Sequence, residues 1–237
     1  MPTIQTFDEL NALRRKGMGI DVWSTPINRY FNEMRLSRAQ KQERIALAED
    51  IEDAVLFFFS LVLLQSRYAY LAAMDSAEAK EELRRRVTDA VRKHADVNED
   101  TMFEINQYVD NVDDTTTEHL IILNELAEDA EEEKRQKERH YISEDRARLL
   151  AEEEANTIFN GSDFFKARSL GYKYKTWVTM RDSRVRKSHA GVDDKTIPIN
   201  DYFLVGNSLM RFPRDTSLGA SPKEIIMCRC TVQYTKE

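Results

Sequence analysis

Apolar residues recur at helical spacing through the first two thirds of the chain and at strand spacing only near its end. Over residues 28–73, Tyr30, Phe31, Met34, Ile45, Leu47 and Ile51 follow a helical period and lead into an unbroken apolar run, AVLFFFSLVLL, from Ala54 to Leu64. Pro26 precedes this stretch, where proline suits a helix start. A second helix is expected over 76–94, capped by Ser76, with acids in its first turn and bases in its last, as the helix dipole favours. A short helix is expected from Asp100 to Tyr108. Thr115–Thr117 would cap the next, which runs from Glu118 into the charged stretch EDAEEEKRQKERH. Another opens at Ser143, with Leu149, Leu150 and Ile158 at apolar positions and Gly161 as its stop. The charge runs at 128–139 and 152–154 read as solvated helix faces. His94, His119 and His140 stand alone and read as surface histidines.

Beyond Gly171 the period changes to two. Tyr172, Tyr174, Thr176 and Val178 alternate with Lys173, Lys175, Trp177 and Thr179, a strand pattern rich in β-formers. Asp182 is placed to cap a short helix, SRVRKSHA, closed by Gly191, in which Asp182 and His189 lie about two turns apart. Residues 198–222 are loop-rich. The last stretch, EIIMCRCTVQY, alternates again and reads as a strand that turns Cys228 and Cys230 to one face beside Ile226, Val232 and Tyr234. The expected class is α+β: a helical N-terminal region, 1–161, followed by a small C-terminal domain, 162–237, with a few antiparallel strands and long loops.

Composition sharpens this division. Four of the 7 glycines and three of the 5 prolines follow residue 170. Residues 162–237 carry 14 Lys/Arg and 8 Asp/Glu, a net +6, whereas residues 1–161 are net −13 within a total of −7. A basic module can face nucleic acid; an acidic helical one would be repelled by it. The eleven apolar residues 54–64 are too few to span a bilayer, which needs about twenty, so a buried helix is expected and no membrane partner. MPTIQTFDEL lacks the basic and apolar regions of a signal peptide, and two cysteines make no disulfide framework, which points to a reducing compartment.

The chemistry-bearing residues concentrate near the end. A tryptophan-bearing strand is followed by D-x-R-V-R-x-S-H (Asp182, Arg184, Val185, Arg186, Ser188, His189), an acidic residue shortly after (Asp193), and C-R-C (Cys228, Arg229, Cys230). Together, over roughly residues 140–235, these resemble the C-terminal domain of the phage Mu F-like minor head proteins, also called phage head morphogenesis proteins. The resemblance implies a virion structural protein of the phage head, present in the host cytoplasm during assembly. It further implies association with portal and capsid proteins and a part in DNA packaging or delivery. It implies no known reaction. No cofactor is expected, zinc being the one candidate.

Other readings of the same residues stay open. His189, Cys228, Cys230 and one of Asp182, Asp193 or Asp194 would suit zinc. Against this, side chains two apart in a regular strand lie about 7 Å from each other, and sulfurs on one zinc must approach to roughly 3.5–4 Å. Cysteine also packs well as a small hydrophobe. A nucleophilic Cys–His pair with His189 as base would make the protein an enzyme acting on nucleic acid or a nucleotide, although no third orienting residue stands out. Arg181, Arg184, Arg186 and Lys187 are candidates for non-specific DNA phosphate contact. The alternative is internal pairing with Asp182, Asp193, Asp194 and Glu224. Arg184 and Arg229 would then cross-link loops to the sheet, Arg229 from the strand face opposite the cysteines.

Overall fold

The computed structural model describes residues 28–67, 76–125, 132–133, 136–137 and 141–237. Its helical part comprises α1 (Asn28–Asn32), α2 (Arg38–Arg67), α3 (Ser76–His94), α4 (Glu99–Glu125) and α5 (Glu144–Ser169). The helical pattern of residues 28–67 is broken once, between α1 and α2. There Ser37 Oγ accepts from the Gln40 backbone N–H at 3.3 Å and Gln40 Oε1 accepts from the Ser37 N–H at 3.1 Å. This reciprocal capping box starts α2 afresh. The run from Ala54 is buried as expected, with Ala54, Val55, Phe58, Phe59 and Val62 inside the core. Among the described residues no helix is long and apolar enough to cross a membrane. The Ser76 side chain, His140 and most of 128–139 lie outside the described residues.

Two of the expected helix boundaries are absent. α4 is one helix through Thr115 and Thr116, whose hydroxyls donate back to Asn111 O at 2.6 Å and Val112 O at 2.5 Å. A threonine that satisfies its hydroxyl on the preceding turn has no reason to cap a new helix. Nor does α5 stop at Gly161. It continues to Ser169 because Phe164 and Ala167 extend its apolar face and because the missing side chain at Gly161 admits the Phe212 ring. A Cβ there would lie 3.4 Å from Phe212 Cζ.

α2 packs on α3 and α5, and α4 packs on both α3 and α5. Ala147, Ala151 and Ala155, spaced four apart, give α5 a smooth stripe against this first core of Leu47, Ile51, Phe58, Val87, Val109 and their neighbours. The far end of the same helix serves a second core, in which Phe164 and Ala167 meet Trp177, Phe203, Met210, Phe212 and Val232. α5 therefore runs unbroken across the expected boundary at residue 161 and belongs to both cores.

The second core is covered by an antiparallel sheet in the order β2 (Thr196–Pro198), β1 (Tyr174–Val178), β5 (Thr231–Thr235), with a separate hairpin of β3 (Phe203–Val205) and β4 (Ser208–Met210). This is the α+β class expected. β1 follows the period-two pattern from Tyr174, exposed, to Trp177, buried with Lys175, and then departs from it, because Val178 is buried as well. Lys175 is tolerated inside because Nζ donates to Arg211 O at 2.7 Å and lies 4.8 Å from the centre of the Phe164 ring. Burial still pulls its pKa down to about 8. The final strand is shorter than its alternation suggested. Pro222 opens a turn of helix, α7 (Pro222–Ile225), and Met227 takes φ 57°, so residues 226–230 are irregular and β5 begins only at Thr231.

Candidate functional site

Asp182 does not open the expected helix. Its Oδ1 accepts from the Arg184 N–H at 3.0 Å and its carbonyl accepts from the Val185 N–H at 3.1 Å, which closes a tight turn. Only Lys187–Ala190 (α6) is helical. The turn aims Asp182 away from His189 and toward Arg229, whose Nη2 donates to its two oxygens at 2.9 and 2.8 Å. Arg229 Nη1 also reaches Glu33 Oε2, beyond the end of α1, at 3.3 Å, and Arg184 pairs with both Asp182 and Glu33. Arg229 is nearly buried in this network rather than solvent-facing. The motif loop is thus fastened to the helical part by charge-assisted bonds, the stronger kind.

Of the four cations proposed for DNA, three have partners. Arg181 holds Asp193 at 2.6 Å and also Asp194, Arg184 is engaged as above, and the Arg186 guanidinium donates to Ile226 O. Lys187 is exposed. Asp193 meanwhile accepts from the Thr179 N–H at 2.8 Å and so fixes the end of β1. Arg181 and the Thr179 N–H hold its carboxyl below the usual range against the opposing effect of burial.

His189 and the two cysteines do come together. His189 Nδ1 lies 3.4 Å from Cys230 Sγ and 3.6 Å from Cys228 Sγ, all three side chains are buried, and their ligand atoms lie within 4.8 Å of one another. The irregular backbone after Met227 is what allows this convergence. Neither Asp182, Asp193 nor Asp194 joins the group. The carboxylate against His189 is Glu224, whose Oε2 lies 3.2 Å from Nε2 without the alignment of a hydrogen bond. Ser188 Oγ donates to that same oxygen at 2.6 Å. Gly206, at φ 60°, makes room for Glu224: a Cβ there would stand 2.6 Å from Oε1. Hydrogen bonding from Cys230 and the His189 ring hold the Cys228 thiol well below its ordinary value despite burial. Burial acts to lower His189, but Cys228 outweighs it and the ring's pKa is raised. Beside Cys228, the Cys230 thiol is pushed up. Met180, Arg184, Arg186 and Met227 line a narrow cleft that reaches all three residues.

A family model described as phage Mu protein F like protein matches residues 67–233, a span that contains every residue of this cluster. The chain belongs to the phage Mu F-like family of head morphogenesis proteins. No curated protein and no solved structure matches it. The Mu F-like match starts well before the C-terminal stretch of roughly 140–235 on which the resemblance rested, and takes in α3, α4 and the whole of α5.

In this Mu F-like chain α5 holds the cysteine segment in place. Asn156 Nδ2 donates to the carbonyls of Cys228 and Cys230 at 3.3 and 3.4 Å, Asn160 Nδ2 donates to Cys230 O at 3.2 Å, and Tyr30 Oη donates to Cys228 O at 3.0 Å. Glu153 receives Arg214 at 2.7 Å and also the Met227 N–H, while Arg214 reaches Thr157 Oγ1 and Ile225 O at 2.7 Å each. Residues 152–154 are therefore not a solvated face: Glu152 and Glu154 are buried, and burial pushes the Glu152 carboxyl up to about 8. The signal missed was the spacing Glu153, Asn156, Thr157, Asn160, a polar stripe along one face of the helix. His94 and His119 are half-buried, His94 against Asp50 at 2.9 Å and His119 stacked on Tyr141 at 3.9 Å.

Proposed function

We propose that this Mu F-like protein is a minor head component of the virion, assembled in the host cytoplasm, carried at the portal vertex and engaged in DNA packaging or delivery. The observation that supports this reading most is the family match over the whole motif-bearing region. The geometry agrees with an architectural use of the motif. Asp182, Arg184 and Arg229 direct their hydrogen bonds to one another and to Glu33, and the carbonyls of Cys228 and Cys230 are held by α5. Portal and capsid proteins are the partners of such a component. The test is genetic and structural: the protein should co-purify with full heads, gold-labelled antibody should mark one vertex, and deletion of its gene should give heads without DNA. Full, infectious heads that lack the protein would overturn the reading.

Non-specific DNA contact is part of this proposal, supported by the +6 charge of residues 162–237. Because Arg181, Arg184 and Arg186 are engaged internally, the contact belongs to exposed lysines such as Lys173, Lys187, Lys195 and Lys223. Their replacement by Gln should weaken binding to duplexes of any sequence. The slope of log affinity against log salt should also flatten by about 0.9 for each phosphate no longer neutralised. Binding that is insensitive to salt would exclude it. An enzymatic use of the Cys228–His189 pair would show as a hydrolytic or transfer activity that a folded His189→Ala protein loses.

A further inference from the structure

Two sulfurs stand at nearly equal distance from one ring nitrogen, 3.4 and 3.6 Å from His189 Nδ1. One ring N–H points well at only one acceptor, so two sulfurs within 3.6 Å of the same nitrogen are more than a single linear hydrogen bond requires. A tetrahedral zinc with Zn–N near 2.0 Å and Zn–S near 2.3 Å places its nitrogen and sulfur ligands about 3.5 Å apart. Both separations fit. Thiolate and imidazole together are also the ligand types that favour zinc over harder divalent ions. We propose that His189 Nδ1, Cys228 Sγ and Cys230 Sγ bind a zinc ion, with water from the adjoining cleft in the fourth position. This goes beyond the head role and does not depend on it.

The surroundings are those a metal site needs. Glu224 lies behind the ring nitrogen that faces away from the sulfurs, is itself held by Ser188, and occupies space that only a glycine at 206 leaves open. The negative charge of a carboxylate 3.2 Å from Nε2 favours a proton on that nitrogen, which leaves Nδ1 free to ligate. Asn156, Asn160 and Tyr30 hold the carbonyls on either side of Arg229, so the two sulfurs converge before any ion arrives. On binding, the thiols give up their protons to solvent. The ion then joins α6 to the segment before β5, a cross-link within a second core that is small.

The full chain, purified from zinc-supplemented medium without chelators, should carry one zinc ion per chain by elemental analysis. Cobalt added to the metal-free chain should give a thiolate charge-transfer band and the intense visible bands of a tetrahedral ion. Cys228→Ser and Cys230→Ser should each weaken the charge-transfer band, with circular dichroism confirming that the helices remain. Glu224→Gln should keep the bands but lose about 10–100-fold in affinity against a competing chelator. A folded wild-type chain that takes up no zinc, or a cobalt complex without a thiolate band, would overturn the proposal.

Discussion

Glu104, on α4, accepts from Thr216 Oγ1 at 2.9 Å, and burial pushes its carboxyl from the ordinary 4.5 up to about 7. Between these values the unfolded chain has already released the proton that the folded chain keeps, so stability falls as pH rises through the window. The loss is on the order of 3 kcal/mol, at about 1.4 kcal/mol per pKa unit. Asp182, Asp193 and Asp215 have lowered values and act only below about pH 4, so they do not mask it. Urea unfolding from about pH 5 to 7.5 should show a shallower decline for Glu104→Gln than for the parent, and parallel curves would refute the assignment. Arg214 makes a second test. Largely enclosed against Glu153, Thr157 and Ile225 O, it should cost about 2–4 kcal/mol when replaced by Met, because Glu153 is left mostly enclosed without its cation. Glu153→Gln in the same chain should recover part of that loss, read as a non-additive double-mutant cycle. At this scale the sequence was most legible where residue types are rare. His189, Cys228 and Cys230 stand out in any reading, whereas Glu153 and Asn156 look like ordinary helix-surface residues until the loop they hold is folded over them.

The helices were legible where apolar spacing alone decides them and illegible where a side chain supplies its own local bond. Phe58 lies in the apolar run of α2 and is 1% exposed. Phe58→Ala should therefore lower stability by about 3–5 kcal/mol in denaturant titrations, as for other large core truncations. A cost below about 1 kcal/mol would mean that the cluster around α2 collapses into the space. Thr115 and Thr116 read as caps because threonine often caps, and only the hydroxyl bonds to the preceding turn show that α4 continues. Gly161 read as a stop because glycine often follows a helix; its use as a seat for Phe212 is a tertiary fact. The alternation through Cys228 and Cys230 misled for a related reason. Period two describes β5, but Pro222 and the positive φ at Met227 interrupt it upstream.

For the whole molecule, the two cores share one helix across residue 161: α5 contributes Ala151 and Ala155 to one and Phe164 and Ala167 to the other. Residues 162–237 lack Asn156, Asn160, Glu153, Tyr30 and Glu33, which hold the segment between α7 and β5. That fragment should be unfolded, with a collapsed amide-proton NMR spectrum, and calorimetry of the full chain should show one transition. A well-dispersed spectrum from 162–237 would refute this. The change in composition after residue 170 marks where strands and loops begin.

An α5 of 26 residues is a rod of about 39 Å, and every residue along it also sets an angle of about 100°. Ala147–Ala155 point to the helical core, while Asn156 and Asn160 point to the cysteine segment. Inserting one residue between Ala155 and Asn156 would swing the second group by about 100° around the axis while leaving the first in place, so that the asparagines would miss the carbonyls they now hold. A one-residue change of length in the middle of this helix is therefore a change of phase, felt at the cysteine segment rather than at the site of the change.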